Sequence, residues 1–162
     1  MTYTTPAQAA ASIRSELKAH GWGPRDVSVR SESYSMGSAV RIEIKSASVR
    51  LSAVKAAAEK EEHVRYDGFG EILSGGNRFV QVGYSDEARA GLAAPHLEAV
   101  IAAAAKATGN SLIPVETAPA YMIGVPSNGG NGTYFALWGD SHIIEGSPAE
   151  LAARIGTLLL EA

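Results

Sequence analysis

Apolar and polar residues alternate in two short stretches near the start of the chain. Val27 and Val29 each have polar neighbours, and Val40, Ile42 and Ile44 alternate with charged or polar residues in the same way. A period of two is typical of a strand that buries one face and leaves the other in solvent. The pattern therefore predicts two half-buried strands, each with one polar side.

A helical period surrounds these strands. Residues 5–8 form a capping box with proline at the first helical position, and apolar residues then recur at helical spacing until Gly21. A second helix is predicted from about residue 52 to residue 62, and further strands near 64–66 and 78–84. The predicted order of the first 85 residues is therefore αββαββ.

Two αββ units in tandem favour one antiparallel sheet with both helices on one face. The other face and its loops would then be free to bind a partner. Moving the first strand of a ferredoxin-like βαββαβ fold to its end gives the same order, so a permuted ferredoxin-like fold is one candidate. Periodicity does not decide which strands are neighbours. The predicted fold class is α+β.

The remainder of the chain has a different pattern. Residues 86–109 are alanine-rich with helical spacing, and Pro95 predicts a kink or a break between two helices. Residues 110–162 show four short strands and then a second capping box, beginning at Ser147, that opens a final helix. We therefore predict a domain at 1–85, a helical connector and a ββββα subdomain. The pattern leaves open whether that subdomain is a separate domain.

Composition indicates a globular protein and excludes several classes of site. The chain has 162 residues, of which 46% are hydrophobic and 19% charged, and it has no cysteine. Thiol catalysis, disulfides and zinc sites built on thiolate are thereby excluded. The N-terminus has no basic segment followed by an apolar core, and no apolar run approaches the ~20 residues of a membrane span. We expect a cytoplasmic protein without a membrane partner.

Charge is distributed unevenly along the sequence. Residues 1–85 hold 11 basic and 9 acidic side chains, a net charge of +2, whereas residues 86–162 hold 3 and 8, a net charge of -5. One interpretation is ordinary drift between two subdomains. The other is a mildly basic binding sheet beside an acidic half.

Residue types with catalytic or metal-binding chemistry are scattered along the sequence. No two histidines have the i, i+4 spacing of a helical metal pair, and they fall in different predicted elements: His20, His63, His96 and His142. The acidic residues near the end of the second helix are typical of a solvated face. We therefore predict no catalytic residue, no metal and no cofactor.

Two glycine-bearing turns are the candidate binding loops. The first carries Tyr34 and Met36, an amphipathic ring and a flexible thioether that are well suited to contacts with another molecule. The second contains Gly75, Gly76 and Asn77. It is either a simple turn that needs positive φ or a backbone-exposed rim that contacts a partner.

Basic residues fall on the polar side of the predicted strands. Arg30, Arg41 and Arg78 would share the open face if the helices cover the apolar one, and they would form a weak nucleic-acid platform there. Glu32 and Glu43 fall on the same face by the same alternation. Cross-strand pairing of opposite charges is therefore the alternative interpretation.

Three segments together resemble a large polyvalent protein-associated domain: SVRSESYSMGS at 28–38, VRIEIK at 40–45 and GEILSGGNRFV at 70–80. Domains of this family occur in proteins of bacteriophages and conjugative elements, and the similarity ends near residue 84. The family has no established catalytic residues. The resemblance implies a mobile-element context, the cytoplasm of a bacterial host and a small α+β domain of uncharacterised activity.

These features predict a non-enzymatic binding protein of a phage or another mobile element, acting through its loops and open sheet face. The specific hypothesis is a counter-defence inhibitor that occludes a host immune protein, so a host or element-encoded protein is the expected partner. A nucleic-acid-binding accessory factor and an enzyme with an unrecognised dispersed site are the alternatives. Edge strands of an open sheet also invite pairing, which makes a homodimer a further candidate.

Overall fold

The structure is a computed structural model that describes residues 4–35, 37–73, 75–108, 111–126, 133–138 and 141–162, the side chains of 141–144 excepted. The chain divides into two compact units, Met1–Ser85 and Asp86–Ala162. Each unit has its own sheet and its own hydrophobic core.

The first unit consists of two helices and a three-stranded sheet. In chain order its elements are α1 (Pro6–Ala19), β1 (Val27–Tyr34), β2 (Gly37–Ile44), α2 (Leu51–Glu59) and β3 (Asn77–Tyr84). β1 and β2 pair antiparallel with Val29 opposite Ile42, and β2 and β3 run parallel with Ile42 opposite Val82. The strand order is β1-β2-β3, so β1 and β3 are the edges.

Both helices of the first unit cover the same face of its sheet. Alternation places Val29 and Ile42 on that face, where they share one core with Ile13 and Leu17 of α1 and with Val54 of α2. The opposite face carries the polar residues of the same strands and is exposed. The sheet therefore has one covered and one open face, as the alternation predicted.

The α+β class is confirmed, and the order of the elements roughly matches the prediction. Two details differ. The strand expected near 64–66 is replaced by isolated bridges that join His63 to Arg78 and Tyr66 to Ile72. In addition, β3 runs parallel to β2 and lies directly beside it, whereas a ferredoxin-like fold places another strand between two strands joined by a helix.

The second unit consists of three helices and a four-stranded antiparallel sheet in the order β4-β5-β6-β7. Its elements are α3 (Asp86–Ala93), α4 (Leu97–Lys106), β4 (Ile113–Val115), β5 (Ala118–Gly124), β6 (Tyr134–Trp138), β7 (Ser141–Gly146) and α5 (Pro148–Glu161). Val100 of α4 and Ile155 of α5 are buried with Val115 and Ile123 of the sheet. The described part therefore has the predicted ββββα order.

Pro95 lies between α3 and α4, where the sequence predicted a kink or a break. Both helices lie within the second unit, whereas residues 86–109 were predicted to be a connector. There α3 packs along α5 with the two backbones in direct contact. A Cβ built on Gly156 would lie only 2.8 Å from the carbonyl carbon of Leu92 and closer still to its oxygen. A glycine is therefore required at this helix crossing.

Both predicted capping boxes are present. In α5 the Ser147 hydroxyl accepts from the Glu150 amide at 3.4 Å, and the Glu150 carboxylate accepts from the Ser147 amide at 2.7 Å. These bonds from Ser147 lower the pKa of Glu150 from its usual value of 4.5. In α1 the neutral side chain of Gln8 fills the same role for Thr5.

This cap predicts a pH dependence. A carboxylate whose pKa is lower in the folded than in the unfolded protein stabilises the fold above the unfolded pKa, and that stability is lost as the pH falls through the folded pKa. We expect Glu150→Gln to lower the urea midpoint of the second unit near neutral pH, because the amide keeps the geometry but loses the charge. The deficit should shrink below about pH 4.5. An equal deficit at neutral and acid pH would contradict this account.

Candidate functional site

The two glycine-bearing turns meet at one end of the first sheet. Because β2 and β3 run parallel, their first residues, Gly37 and Asn77, lie side by side. A Cβ on Gly37 would lie 2.7 Å from the Asn77 carbonyl oxygen and 3.4 Å from the Tyr34 ring. The Tyr34 hydroxyl donates to the Ser38 carbonyl at 3.2 Å. We call this part of the molecule the glycine end, defined by Tyr34, Gly37 and the loop at 64–77.

The loop at 64–77 is held by hydrogen bonds from its own side chains. The Asn77 amide group accepts from the Arg65 backbone N–H at 3.1 Å and donates to the Leu73 carbonyl at 2.6 Å. The Arg65 guanidinium donates to the Gly75 carbonyl at 3.0 Å. Gly75 and Gly76 have φ of 80° and 72°, the left-handed region that favours glycine. The described part of this segment is thus a fixed turn.

The tip of this loop is ordered by Asp67. Its carboxylate accepts from the backbone N–H of Phe69 at 2.8 Å and of Glu71 at 2.9 Å, and its own N–H donates to the Glu71 carbonyl at 2.9 Å. The Phe69 side chain is nevertheless 96% exposed. The fold therefore fixes the backbone that carries this ring and leaves the ring itself in water.

Exposed apolar side chains of the first unit are concentrated at the glycine end. In its described residues, every exposed large apolar side chain belongs either to Tyr34 or to the loop. We call the four in the loop the apolar loop residues: Tyr66, Phe69, Ile72 and Leu73. Large exposed apolar groups that lie together mark contact sites more often than single ones scattered over a surface.

The structure brings together four of the predicted binding residues, Tyr34, Gly75, Gly76 and Asn77. The apolar loop residues were not predicted. One signal was present in the segment 67–70, which places a phenylalanine between two glycines. An aromatic residue between two glycines does not belong to the alternating pattern of a half-buried strand, so its side chain is a candidate for exposure in a turn. Met36, the other residue named in the first turn, lies outside the described residues.

Arg30 and Arg41 lie on the open face, as predicted. The Arg41 guanidinium forms an ion pair with Glu32 at 2.9 Å, and both side chains are about half exposed. These residues, with Glu43 and Gln81, line a shallow depression of about 460 Å³. Basic and acidic groups alternate across it, which agrees with the cross-strand pairing interpretation for Arg41.

Arg78 does not lie on the open face, contrary to the prediction. Its alternation with Val80 and Val82 places it on the side of the helices. Its guanidinium donates to the carbonyls of Glu61 at 2.6 Å and Thr4 at 2.7 Å, and its side chain is only 13% exposed. The same alternation was visible in the sequence. Arg78 therefore joins three segments of the first unit and is not placed to bind a ligand.

Displaced pKa values in this protein have structural causes. A hydrogen bond from Lys60 at 2.7 Å lowers the pKa of Glu16, burial lowers the pKa of His96, and burial raises the pKa of Tyr121. None of these residues lies at the glycine end. Among the described residues, no group of three or more acidic or histidine side chains is arranged to hold a metal ion.

A scan against protein-family models, a search of curated proteins and a search of solved structures each found no match. The resemblance to the polyvalent protein-associated domain therefore stays a prediction. Within the described ranges, no helix combines the length and the apolar character that crossing a bilayer requires.

Proposed function

We propose that this chain is a non-enzymatic binding protein that docks onto another protein through the glycine end, with Phe69 entering an apolar pocket of the partner. The exposure of Phe69 on a hydrogen-bonded turn carries the proposal. Burying a phenylalanine side chain contributes about 2 kcal/mol. A turn that is already ordered loses little conformational entropy on binding, so most of that gain would appear as affinity.

The composition of the site supports a protein partner. Interface residues that dominate binding are enriched in aromatic side chains, which fits Phe69 in a loop that also exposes Tyr66. A nucleic-acid surface needs basic groups that are free to neutralise phosphates. Here Arg41 is paired with Glu32, and the open depression has acidic and basic groups side by side. The partner expected from this chemistry is a protein with an apolar pocket and little net charge around it.

Phe69→Ala is the direct test. We expect it to weaken partner binding at least about tenfold, because it removes the central apolar contact. The matched control is Ile101→Ala, which truncates an exposed apolar side chain in the second unit. Proteins captured from host lysate by the wild type are purified, and their affinities for the wild type, the control and the Phe69 variant are measured by calorimetry at low and high salt.

A partner that binds the Phe69 variant as tightly as the wild type would contradict the proposal. So would an affinity that falls steeply with salt, which would favour the nucleic-acid or charge-driven alternative.

Within this class we propose a counter-defence role, in which the protein occludes a host immune protein. The resemblance to mobile-element domains supports this role, as does a small unit whose exposed apolar residues are gathered at one end. Expression of the wild type or of the Ile101 control in a host with an active defence system should restore phage plaques, and Phe69→Ala should not. Equal plaque numbers with and without the wild-type protein, in every defended host tested, would remove this role and leave the binding proposal in place.

A further inference from the structure

The edge of the first sheet at β3 is a second surface, separate from the glycine end. The Arg78 backbone exchanges two hydrogen bonds with His63, at 2.7 and 2.9 Å, and the Val80 N–H donates to the Glu62 carboxylate at 3.1 Å. These even-numbered residues therefore turn their backbone groups away from β2. Because the period of a strand is two, the N–H and C=O of Val82 point in the same direction. Val82 thus presents one donor and one acceptor along the outer edge of β3.

A groove follows this edge. It has a volume of about 330 Å³ and is lined by Lys55, Glu59, Glu62, Val80 and Val82. Since β2 and β3 run parallel, α2, which connects them, runs in the opposite direction. Lys55 therefore lies toward the end of β3, and Glu62, bonded to Val80, lies toward its start. The groove is positive at one end and negative at the other.

We propose that β3 pairs antiparallel with β3 of a second copy of this chain, about a two-fold axis that passes beside Val82. The two Val82 residues would form a hydrogen-bonded pair and exchange both N–H···O=C bonds. A two-fold axis reverses the direction of the groove, so Lys55 of each copy faces the acidic end of the other. The edge is thus complementary to itself, as an isologous interface requires. Two three-stranded sheets would become one continuous sheet of six strands.

Glu62 has a particular place in this arrangement. Its carboxylate now occupies the Val80 N–H, the donor that a neighbouring strand would use. In the dimer that N–H would pass to a backbone carbonyl of the second copy, and Glu62 would turn to Lys55 of that copy. In the monomer the Glu62 carboxylate satisfies a backbone donor at the edge of the sheet. In the dimer a backbone carbonyl of the second copy would replace it.

The first test is the mass in solution. Sedimentation equilibrium over a rising concentration series should show the wild type moving from 16.9 kDa toward twice that mass. Val82→Pro removes the N–H that crosses the two-fold axis and faces away from β2, so the variant should fold and stay monomeric. Circular dichroism checks the folding of each variant. A wild type that stays at 16.9 kDa up to its solubility limit would overturn the proposal. The charged side chains beside β3 would then serve to prevent pairing of an exposed edge strand.

Charge exchange gives a sharper test. Lys55→Glu and Glu62→Lys should each weaken the dimer at least about tenfold, because each places like charges opposite one another twice. An equimolar mixture of the two variants should associate as the wild type does, because the carboxylate introduced at position 55 of one chain would then face the ammonium group introduced at position 62 of the other. Recovery in the mixture cannot come from misfolded variants. A dimer that both single variants and Val82→Pro leave intact would place the interface elsewhere and overturn the proposal.

Phe69→Ala separates this inference from the proposed function. The variant should dimerise as the wild type does, because Phe69 is not part of the β3 edge groove. Loss of dimerisation in Phe69→Ala would contradict the β3 interface and not the docking of a different protein at the glycine end.

Discussion

Gly156→Ala is expected to destabilise the second unit by about 3 kcal/mol. The added Cβ would lie 2.8 Å from the carbonyl carbon of Leu92, and the atoms it meets belong to the backbone of α3. A side chain could rotate aside, but a backbone carbonyl moves only with its helix. Alanine would favour the helical state of α5 by about 1 kcal/mol, which is smaller than the cost of separating α3 from α5. The steric effect should therefore dominate.

The two tryptophans make this measurement specific, because Trp22 lies in the first unit and Trp138 in the second. In a Trp22→Phe background, the fluorescence of Trp138, which stacks on Tyr121, reports urea unfolding of the second unit alone. The control is Gly83→Ala in the first unit, where a Cβ would meet no atom within 4 Å, and its unfolding is followed with Trp22 in a Trp138→Phe background. An unchanged urea midpoint in Gly156→Ala would show that the two helices separate at little cost.

Asn77→Ala is expected to destabilise the first unit by about 2 kcal/mol. Its side chain supplies two hydrogen bonds to the backbone, one accepted from Arg65 and one donated to Leu73, and the residue is only 4% exposed. Alanine would leave both backbone groups without this partner in a partly buried place. The change in structure should be confined to the loop at 64–77, because these hydrogen bonds fix that loop and not the core of the sheet.

Hydrogen exchange distinguishes local from global loss. The Arg65 N–H should lose protection in Asn77→Ala, whereas N–H groups of β2 should change only by the shift in global stability, followed with Trp22 in a Trp138→Phe background. Gln81→Ala, an exposed polar truncation on the same strand, is the control and should change stability little. Partner affinity should also fall, although Phe69 is still present. Retained protection at Arg65 together with unchanged stability would refute the role given to Asn77.

Local signals in the sequence predicted much of the fold because local physics determines those features. The capping boxes at Thr5 and Ser147 satisfy N–H groups within one helical turn, so the sequence alone located both helix starts. Alternation along β1 and β2 placed Arg30 and Arg41 on the open face. Alternation along β3 places Arg78 on the helix side with Val80 and Val82. The prediction that grouped Arg78 with the other basic residues on the open face ignored this alternation and was wrong.

The relations between distant segments were not predictable in this way. Side chains alternate with the same period in parallel and antiparallel pairs, so nothing in residues 37–44 and 77–84 specified the parallel arrangement. That arrangement is what brings the two glycine-bearing turns to one end. The exposure of Phe69 likewise depends on the turn in which the Asp67 carboxylate accepts hydrogen bonds from the N–H groups of Phe69 and Glu71. The sequence alone does not show whether a phenylalanine in a turn is buried in the core or exposed to solvent.

The His63–Arg78 bridge closes the base of the loop, so its two ends leave the sheet at adjacent points. A segment attached in this way can lengthen, shorten or exchange its residues while β2 and β3 keep their register. If the proposed docking role holds, selection on partner recognition acts on the apolar loop residues with little penalty in folding, because their side chains are exposed. The same attachment makes the loop an insertion point for engineered recognition sequences.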